Sequence, residues 1–207
     1  MKKFLLMLLC GALMLSIVAC NSDKKTGGAP AGDPPAWEEL IEECDEWSSD
    51  YVNFKNSYKA NPNSPVVMDS IGRWMNEIDE WWTSLDEMLE ALGAFKTEKA
   101  KFLTEVKKIT AKMSGDVSTD AAAADVEAFL DEYDTWAEDT YLAFFEEFKD
   151  DKVSQDYRDG YNDRMVETIS WSVRIYNMKL RITDATLLND FENGIDEIAG
   201  KLASANN

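Results

Sequence analysis

The side chains of this sequence best suited to chemistry are its 40 carboxylates and its three cysteines, because the chain of 207 residues contains no histidine. A protein without histidine has no Ser-His-Asp triad, no Cys-His pair and no histidine-ligated metal. A glycosidase needs only two carboxylates, but among so many acidic residues no single pair stands out. The sequence also lacks a glycine-rich phosphate loop and a Gly-x-Ser-x-Gly turn. We therefore expect no enzymatic activity and no cofactor.

The acidic residues are unevenly distributed and concentrate between residues 116 and 151. The net charge of −19 argues against nucleic acid as a partner, because phosphates are neutralised by Lys and Arg. The acidic segment is either a solvated face that keeps the protein soluble or a surface that attracts a basic protein partner. A calcium site is not indicated over 156–160, because Tyr157 and Arg158 stand where a calcium loop needs oxygen ligands.

The candidate partner surface combines this acidic segment with one aromatic residue. Trp81 and Trp82 are adjacent, so their indoles diverge by about 100° around a helix. One of the two indoles is therefore expected near the edge of the apolar stripe, where it can stack on a partner. The surface predicted from the sequence consists of Glu127, Asp131, Glu132, Asp134, Glu138, Asp139 and Trp82.

The N-terminus has the pattern of a targeting segment. Lys2 and Lys3 precede an apolar run from Phe4 to Ala19, which is shorter than the roughly 20 residues of a membrane-spanning helix. A charged start, a short apolar run and small residues before a polar segment predict a cleaved signal peptide over residues 1–19.

The end of this run, Ile17-Val18-Ala19-Cys20, resembles the lipobox of bacterial lipoproteins, in which aliphatic and small residues precede an obligatory cysteine. The resemblance covers only the start of the chain. It implies cleavage before Cys20, lipid on the sulfur and the new amino group of Cys20, and an extracytoplasmic protein anchored to the membrane. Several acyl chains anchor stably, whereas a single chain binds only marginally. Asn21 is not the aspartate associated with inner-membrane retention, so the resemblance favours the outer membrane where the host has one.

Residues 20–35 are predicted to form a lipidated flexible tether. Residues 21–35 contain three Gly and three Pro and no large apolar side chain, which is the composition of a linker. A flexible segment of this length has a root-mean-square span of about 20 Å, enough to hold a domain clear of the lipid headgroups.

Cys44 is the one cysteine expected to remain free, because Cys10 lies in the signal peptide and Cys20 carries lipid. It falls on the apolar stripe of a predicted helix, among acidic neighbours that disfavour its thiolate. We therefore expect Cys44 to be a small buried hydrophobe rather than a nucleophile or half of a disulfide.

Residues 36–207 are predicted to form one acidic helical domain. Apolar side chains recur every three or four residues, and no strand-like alternation occurs. Turn signals at 61–65, 93 and 114–116 separate the first helices, and the length of the last segment predicts a break near Arg181 to Asp184. These boundaries predict an all-α antiparallel bundle of four to five main helices. The tryptophans expected in its core are Trp37, Trp47, Trp74, Trp81, Trp136 and Trp171.

Two further patterns depend on how the helices pack. The third helix is rich in lysine and the fourth in carboxylates, so we expect these neighbours to pair across the bundle surface. The string Glu-x-Asp-x-Trp occurs at 43–47, 77–81 and 132–136. It reflects either chance in acidic amphipathic helices or an old duplication, and the irregular spacing excludes a solenoid repeat.

These features favour a protein that binds a protein partner at the cell envelope. A small immunity or inhibitor protein is one example of this class. The alternative is a carrier for a small ligand or lipid, held in an aromatic-lined cavity between the helices. Compactness, acidity and the predicted anchor favour the first function, and a solid core without a cavity would exclude the second.

Overall fold

The computed structural model of the protein describes residues 33–204. The predicted signal peptide, the lipidation of Cys20 and nearly all of the tether lie outside the described residues. Within them no strand occurs, and the helices are α1 (Glu38–Ala60), α2 (Pro65–Ala91), α3 (Lys96–Ser114), α4 (Ala123–Trp136), a π-helical segment (Ala137–Leu142), α5 (Ala143–Glu147), α6 (Gln155–Arg181) and α7 (Ala185–Ser204). The predicted all-α class and the bundle are confirmed.

The helix boundaries follow from local sequence chemistry. Pro65 starts α2 at a position where a helix needs no backbone donor. Gly115 ends α3 with a φ of 81°, a left-handed conformation that glycine adopts without a steric cost. The hydroxyl of Ser154 accepts a hydrogen bond from the backbone N of Tyr157 at 3.1 Å and caps α6. The break between α6 and α7 falls at residues 182–184, as the length of the last segment predicted.

One long rod is formed by α4, the π-helical segment and α5, because the backbone stays helical across both junctions. Its apolar residues account for this irregularity, since they repeat every four residues rather than every 3.6. One wider π turn keeps such a series on a single face. All members of the series are buried: Phe129, Tyr133, Ala137, Tyr141 and Phe145.

Helix α6 lies at the centre of the bundle and contacts α1, α2, α3 and α4. It runs antiparallel to α1, as the pairing of Tyr51 with Ser170 and of Tyr58 with Asp163 requires. It also runs antiparallel to α4 but in the same direction as α2. Helix α7 packs on the outer rod, beside α4 and the π-helical segment.

The core is dominated by aromatic side chains, as the sequence predicted. Trp37, Trp74 and Trp171 are buried. The other three predicted core tryptophans are half-buried and pack against the same clusters. The ring of Trp47 lies 4.8 Å from that of Trp74 and 4.8 Å from that of Trp81, so indoles fill the space between α1 and α2.

Candidate functional site

The candidate site is the outer side of the rod that begins with α4. Glu127, Asp131 and Asp139 are exposed there, and none of the ion pairs formed among residues 33–204 includes them. We call these three residues the acidic face. The other three acidic residues predicted for the surface also lie on this rod, but each forms an ion pair with a cation outside the rod. They are Glu132, Asp134 and Glu138.

Glu132 is engaged by Arg174 of α6. The two Nη atoms of Arg174 donate to the two carboxylate oxygens at 2.7 Å each, a bidentate geometry that is stronger than a single contact. The hydrogen bonds from Arg174 lower the pKa of Glu132, and those to Glu132 raise the pKa of Arg174. The guanidinium also lies over the ring of Trp171, at 4.3 Å from its centroid. Glu132 therefore fixes α4 to α6.

Asp134 and Glu138 are both engaged by Lys201 of α7. The Nζ of Lys201 lies 2.6 Å from Asp134 Oδ1 and 2.8 Å from Glu138 Oε1. The hydrogen bonds to Asp134 and then to Glu138 raise the pKa of Lys201. These ion pairs join α7 to the rod. Three of the six predicted acidic residues, Glu132, Asp134 and Glu138, therefore position helices.

A third anchor holds the rod at the end of α4, just before its π-helical segment. Trp136 Nε1 donates to Glu167 Oε2 at 2.9 Å, and Arg164 donates to both oxygens of Glu167 at 2.8 and 3.0 Å. Sequence reasoning did not identify Arg164, Arg174 or Lys201, because each is distant in sequence from the residue or rod it holds. Their effect is to present the acidic face on a rigid element.

The structure does not bring Trp82 together with the acidic residues. Its ring stacks on Tyr176 with 4.2 Å between centroids and 12° between planes. Its Nε1 donates to Ser172 Oγ at 3.0 Å. On α6, residues 172 and 176 are about 200° around the helix from Arg174, which faces α4. Trp82 is therefore part of the packing contact between α2 and α6.

The expected pairing of α3 with the acidic rod is wrong. Lys112 of α3 lies 2.9 Å from Asp45 of α1, and Lys107 lies 2.7 Å from Asp120 in the loop of residues 115–122. The remaining α3 pairs link neighbours on the same helix. The reason is topological: α6 packs against both α3 and α4, so these two helices follow one another in sequence but do not lie side by side.

Cys44 is buried, as predicted, with 2% of its surface exposed, and it is a free thiol. Burial, together with the nearby charge of Glu43, raises the pKa of Cys44 to about 12. The thiolate, which is the nucleophilic form, is therefore scarce in the folded protein at neutral pH.

We expect iodoacetamide at pH 8 to modify Cys44 at least about a hundredfold more slowly in the folded protein than in urea. Unfolding returns a cysteine pKa to about 8.5 and exposes the sulfur. The measurement is the rate of alkylation of the peptide that contains Cys44, followed by mass spectrometry. Equal rates in buffer and in urea would contradict the burial of this thiol.

Two cavities bear on the alternative of a ligand carrier. The first, of about 520 Å³, is an open depression on α3 lined by Lys96, Thr97, Ala100, Lys101 and Thr104. The second, of about 190 Å³, lies between the 115–122 loop, α4 and α6. Neither lies among the indoles of Trp47, Trp74 and Trp81, whose rings are in direct contact. These two cavities do not support an aromatic-lined carrier site.

Residues 33–204 contain no group of three or more Cys, Asp or Glu side chains arranged to hold a metal ion. Over the same residues, no helix combines the length and the apolarity needed to cross a membrane. Comparisons with protein-family models, with curated proteins and with solved structures find no match to this chain.

Proposed function

We propose that this chain is a lipid-anchored, non-enzymatic protein of the bacterial cell envelope whose helical domain binds a basic protein partner through the acidic face. The observation that carries the proposal is the contrast within one rod. Glu132, Asp134 and Glu138 are matched by cations, whereas Glu127, Asp131 and Asp139 are exposed and enter no ion pair among residues 33–204.

The physical argument for a basic partner rests on charge and rigidity. Glu127 and Asp131 are four residues apart on a helix, where like charges destabilise each other by about 0.2–0.5 kcal/mol. A cationic partner removes this repulsion and is attracted over longer distances by the same field. Because the ion pairs of Arg174 and Lys201 hold the rod in place, little ordering is required when the partner binds.

The membrane part of the proposal rests on the N-terminal sequence. The resemblance of Ile17-Val18-Ala19-Cys20 to a lipobox supports lipid attachment at Cys20. A tether over residues 20–35 would keep the domain close to the bilayer while leaving it free to reorient. A small anchored domain with a charged face suits an immunity or inhibitor protein, which must meet its partner at the envelope.

The test is cross-linking at Thr135, an exposed residue on the same rod as the acidic face. A photoreactive amino acid at this position, in the full chain expressed in its host, is expected to yield one discrete protein adduct. We expect the combined substitutions Glu127→Gln, Asp131→Asn and Asp139→Asn to lower its yield on the order of tenfold, and high salt to do the same.

The matched control removes the same number of charges from another helix. Glu39, Glu42 and Glu46 of α1 are exposed, and their replacement by glutamine is expected to leave the adduct yield unchanged. Equal losses in the two triple variants would mean that overall charge, rather than the acidic face, governs the contact. Absence of any adduct at Thr135 in membranes would overturn the proposal.

A further inference from the structure

Helix α3 exposes cations but no carboxylates to solvent. Its exposed residues, which we call the lysine face, are Lys96, Thr97, Ala100, Lys101, Thr104, Lys108 and Lys112. Glu98 and Glu105, the acidic residues of this helix, are half-buried. Every other helix within residues 33–204, the π-helical segment included, exposes at least one carboxylate. Charge thus distinguishes this side of the bundle from the rest of the described surface.

The ion pairs of the lysine face leave donors available. Lys96 enters no ion pair among residues 33–204. The Nζ of Lys101 lies 2.8 Å from Glu98 Oε1 and that of Lys108 lies 2.7 Å from Glu105 Oε1, but the two lysine side chains remain 58% and 60% exposed. An ammonium group has three donors, so a lysine that pairs with a glutamate can still donate to a phosphate. Exposed pairs within one helix also contribute little to stability, so they are readily exchanged.

The first half of the lysine face surrounds an open depression of about 520 Å³. It is lined by Lys96 and Lys101 and by the short side chains of Thr97, Ala100 and Thr104. The short side chains leave room for a phosphate group between the two ammonium groups. Because the depression is open to solvent, its shape fits a layer of lipid headgroups better than a small enclosed ligand.

The predicted tether joins the domain beside this depression. Trp37, the residue before α1, is buried. Its Nε1 donates to Glu98 Oε2 at 3.3 Å, and its ring lies 5.9 Å from that of Phe102. Both partners belong to the first two turns of α3. The segment that leads to Cys20 therefore starts next to the lysine face, and a predicted span of about 20 Å keeps this face within reach of the headgroups.

We propose that the lysine face lies against the anionic phospholipid headgroups of the membrane that carries the protein. The proposal rests on the proposed lipid anchor, which supplies proximity, whereas the lysine face selects the side of the domain that meets the bilayer. An anionic surface attracts lysine and repels carboxylates over about a Debye length. Helix α1 packs beside α3 and exposes glutamates, so the attraction is restricted to the lysine face. It orients an anchored domain rather than recruiting a free one.

The test is photo-cross-linking from Thr104, an exposed residue of the lysine face. The full chain carries a photoreactive amino acid at this position and is reconstituted into vesicles, which are isolated by flotation. We expect the yield of lipid adducts, measured by mass spectrometry, to be at least about threefold higher with roughly one-third phosphatidylglycerol than with phosphatidylcholine alone. Raising the salt concentration is expected to remove this difference, because salt screens the attraction.

A triple variant locates the surface. Lys96→Gln, Lys101→Gln and Lys108→Gln together are expected to lower the adduct yield with anionic vesicles to the yield with neutral vesicles. Glutamine and lysine have similar helix propensities, so the variant is expected to fold, which circular dichroism verifies.

The matched control removes the same charge from exposed positions outside α3. It combines Lys59→Gln, Lys149→Gln and Lys152→Gln. Like the lysine-face variant, it includes a lysine that pairs with a glutamate three residues away, since Lys149 pairs with Glu146. The control is expected to give the adduct yield of the wild type.

Equal adduct yields in neutral and anionic vesicles, for protein that floats with both, would overturn the lysine face as a lipid contact and leave the anchor intact. The same conclusion follows if the control variant loses as much adduct as the lysine-face variant, because overall charge would then govern the contact. Protein that floats with neither kind of vesicle would overturn the anchor and, with it, this proposal. A dimer that the lysine-face variant dissociates, seen by light scattering, would assign the face to a second copy of the chain instead.

Discussion

Replacing Cys20 with alanine is expected to prevent both lipidation and cleavage, so that the chain keeps residues 1–19 and changes its electrophoretic mobility. In the proposed lipoprotein, this cysteine carries every acyl chain, and each buried methylene contributes about 0.8 kcal/mol to attachment. The variant therefore lacks the acyl chains that would hold the mature protein in the bilayer, and the retained apolar run of residues 4–19 is its remaining means of membrane attachment. The measurement is the electrophoretic mobility of the protein, together with its incorporation of a labelled fatty acid, which the unlipidated variant is expected to lose.

The matched control is Cys44→Ala, the same substitution at the buried thiol. It is expected to leave fatty-acid labelling and mobility unchanged, because Cys44 is 2% exposed and contributes only to packing. If the Cys20→Ala protein kept its fatty-acid label and its normal mobility, the assignment of a lipid anchor would be wrong. The acidic face would be unaffected by that outcome, since it lies on α4 and the π-helical segment.

The second large effect is expected inside the bundle, where Trp74→Ala should lower the free energy of unfolding by about 3–5 kcal/mol. Trp74 is fully buried, and its ring lies 4.8 Å from that of Trp47, 5.4 Å from that of Tyr51 and 5.9 Å from that of Phe54. Alanine leaves a cavity that these rings cannot fill without losing their contacts. Because domains are stable by only about 5–15 kcal/mol, this loss is a large fraction of the total.

Urea unfolding followed by far-ultraviolet circular dichroism measures this change, with both proteins compared under the same buffer and detergent conditions. Val66→Ala is the control on the same helix. Val66 is 75% exposed, and its truncation is expected to change the free energy of unfolding by less than about 0.5 kcal/mol. A loss below about 1 kcal/mol for Trp74→Ala would contradict the central position of this ring.

Much of the helical architecture could be predicted because its signals are local. The repeats of three and four residues, the proline at 65 and the glycine at 115 act within one or two turns of the chain. The same locality identified Cys44 as a buried residue and the indoles as core. The π-helical segment could in principle have been predicted from the apolar residues that repeat every four positions up to Phe145. A repeat of four differs so little from the α-helical repeat of 3.6 that the pattern predicts an ordinary α-helix.

The candidate site was predicted only in part, because charge pairing is decided by topology. The sequence identified the acidic segment, yet Glu132 is neutralised by a residue 42 positions away, and Asp134 by one 67 positions away. The expected pairing of α3 with α4 assumed that consecutive helices lie side by side. Instead, α6 packs against both helices, and the 115–122 loop that connects them contacts Arg181 of α6 and Lys107 of α3.

The sequence by itself determined the helical class, the buried aromatic stripes, the acidic character of α4 and the N-terminal pattern on which the proposed lipid anchor rests. These properties depend on side chains that are close together along the chain. Only the tertiary structure decided which carboxylates remain exposed and which hold helices together. It alone brought Arg174 and Lys201 to the carboxylates of the rod, because distances between residues on different helices depend on the packing of the whole bundle.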